Sequence, residues 1–152
     1  MEAWHDPASK RDVWLHVVAS ASDWPKKIPW ASPGFGLLVL AEHVVDVAPL
    51  AERALDRGLA VASVWGPAAA VLEDVFDEAI AEKRGSSSRE VVVTTHAYES
   101  IAETIELFLD AVSPPPARAP TCNAWCVVAF GDELARAARR ALERRGARPR
   151  HA

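Results

Sequence analysis

A repeated pattern between Phe35 and Arg145 constrains the fold more than any other feature of this chain. Four times, a short apolar segment is followed by a polar turn and then by an amphipathic helical stretch. Strands that are apolar at successive positions are buried on both faces, so helices must cover both sides of their sheet. The pattern predicts an α/β fold. We expect a three-layer sandwich with a mostly parallel sheet of about five strands, in a flavodoxin-like or Rossmann-like order, with helices on both faces.

The predicted elements follow from residue type and spacing. Strands rich in apolar and β-branched residues are predicted at Val13–Ala19, Phe35–Ala41, Leu59–Trp65, Glu90–Thr95 and Cys122–Phe130. Apolar residues at helical spacing predict helices over Val44–Leu55, Pro67–Ile80, Tyr98–Val112 and Asp132–Arg145. Their inner stripes place Leu72, Phe76, Ile105, Phe108 and Leu109 in the core. The direction of the first strand stays open, because a proline-rich loop follows it instead of a helix.

Length and composition predict one domain over residues 1–152. The 152 residues are 50% hydrophobic and 25% charged, which is enough for an ordinary core. Residues 1–12 and 146–152 are predicted to be flexible ends, and Lys83–Ser88 an exposed mobile turn. The first residues lack the pattern of a secretory signal, and the longest apolar run, Phe35–Ala41, is too short to cross a membrane. We therefore expect a cytoplasmic protein without membrane contact.

Several kinds of chemistry lack their sequence signals. The chain has no phosphate-binding Gly-x-x-x-x-Gly-Lys loop, no Gly-x-Ser-x-Gly elbow and no His-Glu-x-x-His helix. Cys122 and Cys126 lie four positions apart in one predicted strand, about 13 Å from each other, which is too far for a disulfide. We interpret both as small buried hydrophobic residues. No cofactor and no metal are expected, and the sequence identifies no catalytic residue.

The net charge of −4 conceals a basic last helix on an acidic body. Residues 113–152 hold eight of the 17 basic residues but only three of the 21 acidic ones. Arg136, Arg139 and Arg140 lie on that helix, either as a binding site for an acidic partner protein or as a solvated face. Nucleic acid is a disfavoured partner, because no aromatic residues interleave with these arginines. Of the 17 basic residues 13 are arginine, which together with abundant alanine indicates a bacterial genome rich in G and C.

Polar residues at the ends of the predicted strands form the candidate cleft. Ligands of parallel α/β sheets bind at the carboxyl ends of the strands. The residues there are Glu42, His43, Trp65, Thr94, Thr95, His96 and Asp132. His43 and His96 are residues that could act as a titrating pair or bind a metal ion. In the alternative interpretation, these polar residues cap helices or face solvent. Thr95 or His96 then caps one helix, and Asp132 caps the next. A functional pair requires the rings to approach within about 8 Å, which holds if the second predicted strand lies beside the fourth.

Trp65 ends a strand and is followed by Gly66 and Pro67, which places a large flat ring near the predicted cleft. Two interpretations are open. With Trp24 and Trp30 from the proline-rich loop, Trp65 forms an aromatic wall for a planar ligand. Alternatively, the three rings seal the upper edge of the core, since tryptophan is usually largely buried.

Three short motifs carry a resemblance to a known group of proteins. They are Val64-Trp65-Gly66, the acidic helix positions Asp74 and Asp77, and Thr94-Thr95-His96 followed by Glu99. Over Trp14–Gly146 the chain resembles an uncharacterised bacterial family of small α/β domains of unknown function. The family pattern has an aromatic residue between the threonines and the histidine, which this chain lacks. The resemblance implies no activity to carry over.

Two functions from different classes follow from these observations. We expect a small non-catalytic protein-interaction or regulatory domain, with another protein as its partner. The alternative is an enzyme or a small-molecule sensor with a cleft around His43, His96 and Trp65. The oligomeric state is left open by the sequence.

Overall fold

The computed structural model describes residues 1–83 and 90–150, and it confirms the α/β class. The strands are β1 Glu2–Asp6, β2 Arg11–Val18, β3 Gly34–Leu40, β4 Leu59–Trp65, β5 Val92–His96, β6 Cys122–Phe130 and β7 Arg148–Pro149. The helices are α1 Ala48–Asp56, α2 Ala69–Lys83, α3 Ile101–Asp110 and α4 Asp132–Arg144. Short 3₁₀ turns cover Ala21–Asp23 and Ala119–Thr121. None of the helices in the described ranges is long and apolar enough to cross a membrane.

The seven strands form one mixed sheet in the order β5-β4-β3-β6-β2-β1-β7. Neighbours from β5 to β2 are parallel, while β1 runs antiparallel to β2 and to β7. The expected sheet of about five strands is therefore too small. When β3 is counted as the first strand, the order β5-β4-β3-β6 is the 3-2-1-4 order of a Rossmann-like sheet, and the flavodoxin-like order is not present among the described strands. The direction of the first predicted strand is now settled, because β2 lies parallel to β6.

The predicted flexible ends, 1–12 and 146–152, contain the two additional strands. β1 pairs with β2 as a hairpin, and its Trp4 is 3% exposed and packs on the side of α3 and α4. The carboxylate of Asp6 in β1 receives hydrogen bonds from Arg145 and Ser9. The hairpin pairing and the contact with Arg145, 139 positions away, stabilise a segment whose polar, charged sequence gives little strand signal.

The sheet separates two hydrophobic cores. All seven residues of β3 are buried, and successive side chains point to opposite faces. Leu37 and Val39 pack with α1 and α2, whereas Leu38 and Leu40 pack with α3 and α4. The predicted core residues, which are Leu72, Phe76, Ile105, Phe108 and Leu109, are all buried.

The tryptophans do not form one aromatic wall. Trp24 and Trp30 are 2% and 7% exposed and pack around Phe35 in the core covered by α1 and α2. Trp65 packs on the opposite face of the sheet, against the core covered by α3 and α4. The first two rings therefore seal one core, and the interpretation that all three rings seal the same edge does not hold for Trp65.

Several helix starts and N-caps differ from the sequence interpretation. α1 begins at Ala48 instead of Val44, whose side chain is exposed. Ser100 caps α3 by accepting a hydrogen bond from the backbone N–H of Glu103, so neither Thr95 nor His96 has that role. α4 has Gly131 at its N-cap, which makes Asp132 its first residue instead of its cap. The predicted turn at Lys83–Ser88 lies outside the described residues apart from Lys83, which ends α2 and binds Asp56.

Candidate functional site

Three polar side chains form a connected chain across β4 and β5. Ser63 lies opposite Thr94 in the parallel register, and the two hydroxyl oxygens are 2.7 Å apart. Thr94 and His96 are two positions apart on one strand and therefore point to the same face. The Thr94 hydroxyl lies 3.1 Å from His96 Nε2. These three side chains therefore connect β5, at the edge of the sheet, to Ser63, which is fully buried in the sheet interior.

His96 is enclosed by the protein. The residue is 6% exposed, and its Nδ1 atom is buried without a hydrogen-bond partner in the described part of the chain. Burial lowers the pKa of His96, and the nearby carboxylate of Glu99 opposes that shift. Glu99 Oε1 lies 3.8 Å from Nδ1. The neutral imidazole is therefore the favoured form at neutral pH.

Trp65 lies opposite His96, where β4 and β5 end. Its indole N–H donates a hydrogen bond to the carbonyl oxygen of Glu99 at 2.8 Å, which fixes the segment between β5 and α3. The next residue, Gly66, has a φ of 129°, and a Cβ there would lie 2.0 Å from the carbonyl oxygen of Ala41. Only glycine allows this close approach of the two strand ends. Backbone packing thus holds Trp65 over the β5 terminus.

The residues of the predicted cleft lie in separate parts of the structure. Thr94, His96 and Trp65 come together, whereas Thr95 is exposed and points to the opposite face of β5. Glu42 and His43 are exposed in the loop after β3.

The strand order explains this division. β4 lies between β3 and β5, so the second predicted strand is not beside the fourth and the condition for pairing His43 with His96 is not met. Asp132 is exposed at the start of α4, after β6, and this strand does adjoin β3. Within residues 1–83 and 90–150, no group of three or more His, Cys, Asp or Glu side chains is placed to hold a metal ion.

Ser63 is the member of this cluster that the sequence interpretation missed. Ser63 is the only residue with a hydroxyl group in the apolar run Leu59–Trp65, and this feature of the sequence could have identified it. A buried hydroxyl needs a hydrogen-bond partner, which here comes from the neighbouring strand. The arrangement satisfies buried polar groups and ties β5 to β4, and the serine oxygen is not accessible to a substrate.

The two cysteines are free and buried in the described structure. Burial raises the pKa of both thiols, and Cys126 is fully enclosed. Neither thiol is therefore a thiolate at neutral pH, which agrees with a packing role.

The arginines of α4 fall into two groups. Arg139 donates hydrogen bonds from its guanidinium to the carboxylate of Glu2, and Arg145 binds the carboxylates of Asp6 and Asp110. Arg136, Arg140 and Arg144 are exposed and spaced four positions apart, so they form a row along the outer side of the helix. Their guanidinium groups make no ion pair or hydrogen bond within the described ranges. We call these three residues the arginine row.

The comparison with protein families identifies one match. The family model described as a domain of unknown function, DUF7684, matches residues 13–145. No curated protein and no solved structure matches the chain. Because the match covers most of the chain, from β2 to the end of α4, this protein belongs to the DUF7684 family.

Proposed function

We propose that this member of the DUF7684 family is a non-catalytic protein-interaction domain of the bacterial cytoplasm, and that it binds an acidic surface of a partner protein through the arginine row on α4. The observation that carries the proposal is the contrast within one helix. Arg139 and Arg145 are held by carboxylates of this chain, whereas Arg136, Arg140 and Arg144 extend into solvent.

The charge of the remaining surface favours a directed encounter. The exposed side of α2 carries Asp74, Asp77 and Glu78, and the chain has a net charge of −4. An acidic partner is therefore repelled by most of the molecule and attracted at α4, which orients the encounter and raises its rate at low salt. The same acidic body disfavours nucleic acid as the partner.

The expected strength is moderate. Each exposed ion pair contributes about 0.2–1 kcal/mol, so three arginine contacts add about 0.6–3 kcal/mol to an interface whose remaining energy comes from packing. Such pairs are screened by salt, because the Debye length falls to about 3 Å at 1 M ionic strength. Binding through the arginine row is thus expected to weaken steeply as salt rises.

The alternative function, an enzyme or sensor around His43, His96 and Trp65, has less support. It depends on His43 and His96 acting together, and β4 lies between the strands that carry them. His96 is also enclosed, with its Nε2 atom used by Thr94. We therefore favour the interaction domain.

The test places a photo-crosslinking amino acid at Ala137, between the row residues on α4, and irradiates cells that express the full chain. A matched control places it at Ala81, which is exposed on the acidic helix α2. A protein that crosslinks from α4 but not from α2 is then purified, and its affinity is measured against salt for the wild type and for the double variant Arg136→Glu, Arg140→Glu.

We expect the double variant to weaken binding by at least about tenfold, since two attractive contacts become repulsive. The charge-matched control Lys26→Glu, Lys27→Glu, in the exposed loop before Trp30, is expected to change binding less than about twofold. Equal crosslinking from α2 and α4, or an affinity that does not respond to the arginine variant, would reject the proposal.

A further inference from the structure

A pocket lies at the amino ends of the parallel strands, away from the predicted cleft. It has a volume of about 450 Å³ and opens between the starts of β2 and β6 and the segment that follows α3. This size is typical of sites for small molecules. The side chains that matter for its chemistry belong to Lys10, Arg11, Ser113, Cys122, Asn123 and Trp125.

Arg11 is held in a fixed position at this pocket. Its guanidinium carbon lies 3.7 Å from the centre of the Trp125 ring, a cation–π contact. Its Nη1 atom donates to the carbonyl oxygens of Phe108 and Leu109, at 3.1 and 2.7 Å, near the end of α3. The atoms Nε and Nη2 donate to no acceptor within the described residues. One edge of a rigid guanidinium is therefore available for a ligand.

The positive charge of Arg11 has no carboxylate partner. Among the described residues no acidic side chain lies within 4.0 Å of its guanidinium, although the residue is half-buried. Burial lowers the pKa of Arg11, which reflects the cost of holding this charge away from water. The more distant carboxylates of Asp110 and Asp6, together with the carbonyl oxygens and the aromatic face, compensate part of that cost. A bound anion would compensate the rest.

Lys10 provides a second cation and an unusual backbone. It has a φ of 61°, and it is the only residue other than glycine with a positive φ in the described part of the chain. Glycine and asparagine are the residues that suit such a position, so a lysine there is conformationally costly. Strained residues of this kind concentrate at functional sites. Here the conformation places a lysine on the rim of the pocket that contains Arg11.

The nearby carboxylates are already engaged elsewhere. Asp12 also lines the pocket, but its carboxylate lies 2.9 Å from the His5 ring nitrogen and 3.1 Å from Arg150. Asp110 binds Arg145 through both of its oxygens. Arg118 lies close enough to Cys122 to oppose the burial effect on the pKa of that thiol. Among the charged side chains that line the pocket, Lys10 and Arg11 are therefore the ones that make no ion pair with a described residue.

We propose that this pocket binds the phosphate group of a small phosphorylated molecule. The free edge of Arg11 receives two phosphate oxygens, the geometry in which a guanidinium pairs with phosphate, and the ammonium of Lys10 binds a third oxygen. Ser113 and Asn123 lie along the remaining wall and contact the organic part of the ligand. A dianion matches two cations better than the single charge of a carboxylate does. This site is independent of the arginine row on α4.

The test uses inorganic phosphate as the probe. The full chain, labelled with ¹⁵N, is titrated with sodium phosphate at constant ionic strength and pH, and the backbone amides of Lys10 and Asn123 and the Nε–H group of Arg11 are followed by NMR. We expect saturable shifts at these groups. Sodium acetate, titrated in the same way, is expected to bind more weakly. Absence of saturation by phosphate, or acetate binding at least as tightly, would overturn the proposal.

The variant Lys10→Gly separates binding from folding. Glycine adopts the positive φ without strain, so this variant is expected to unfold at a higher temperature than the wild type while its phosphate dissociation constant rises at least about fivefold. The control Lys27→Gln removes one exposed lysine that does not line the pocket, and its dissociation constant is expected to stay within about twofold. Equal phosphate affinity of Lys10→Gly and Lys27→Gln would refute the assignment. If the NMR spectrum of Arg11→Met shows a folded protein, phosphate is expected to cause no shifts in this variant. If Arg11→Met does not fold, the phosphate affinity of Lys10→Gly tests the proposal instead.

Discussion

Replacing Arg145 by methionine is expected to destabilise the protein strongly. Arg145 Nη2 lies 2.8 Å from one oxygen of Asp6, whose residue is fully buried, and the same guanidinium binds both oxygens of Asp110 at 2.7 and 2.8 Å. Breaking a buried ion pair from one side costs about 3–5 kcal/mol, because the remaining charge is left uncompensated. For a chain of this size that corresponds to a fall in Tm of roughly 6–20 °C.

The pH dependence of this loss has a definite sign. Burial alone would raise the pKa of Asp6, but the hydrogen bonds from Arg145 and Ser9 bring it below its usual value. The stability that this interaction gives is therefore present above the unfolded pKa of about 3.9 and is lost as the pH falls through the lower folded value. Without Arg145, burial dominates and Asp6 is protonated more readily. The difference between the wild type and Arg145→Met is thus largest near pH 7 and shrinks in acid.

Urea unfolding followed by tryptophan fluorescence, repeated from pH 7 to pH 3, measures both effects. Arg144→Met is the matched control: the neighbouring arginine is exposed and belongs to the arginine row, so its change is expected within about 0.5 kcal/mol. The double variant Asp6→Asn, Arg145→Met should lose less than the sum of the single variants by about 0.5–3 kcal/mol. A loss below about 1 kcal/mol for Arg145→Met at pH 7, or a loss independent of pH, would refute this reasoning.

Three further predictions concern the core, the glycine turn and the buried histidine. Phe108→Ala is expected to lower the free energy of unfolding, measured with urea, by about 3–5 kcal/mol. The reason is that Phe108 is fully buried and its ring centre lies 5.2 Å from that of Trp125. The control Leu107→Ala, at a position 37% exposed, should lower it much less. Gly66→Ala should lower Tm more than Gly131→Ala, since both have positive φ but only the Cβ at 66 would clash. Burial lowers the pKa of His96, so the wild type should lose stability as the pH falls below about 6.5, and His96→Gln should show a smaller decline between pH 7 and 5.

Local patterns determined the elements of this protein. The α/β class, five of the strands and the four helices were predictable because the spacing of apolar residues in a strand or helix indicates which of its sides is buried, whereas the direction of the first predicted strand was not predictable. The same reasoning placed Phe76 and Phe108 in the core. Helix ends were less predictable: Ser100 and not Thr95 caps α3, because several polar residues in a row offer the same capping chemistry.

Local sequence patterns did not predict which residues of the candidate cleft lie together. The sequence placed His43 and His96 after strands, but whether two strand ends meet depends on the order of strands in the sheet. That order is set by which helices pack over which strands, a contact between segments far apart in sequence. The Ser63–Thr94 bond has the same origin, since the parallel register of β4 and β5 brings the hydroxyls together.

The sequence by itself determined that strands and helices alternate, that the last helix is basic and that the body is acidic. Only the tertiary structure decided which charges act on the protein's own fold and which remain available. Arg144 and Arg145 are chemically identical neighbours, yet α4 turns one toward solvent and the other toward Asp6 and Asp110. Strand β1 forms for a similar reason: its pairing with β2 and the Asp6–Arg145 contact supply stability that its polar sequence lacks. The Asp6–Arg145 contact joins residues 139 positions apart, which no local pattern encodes.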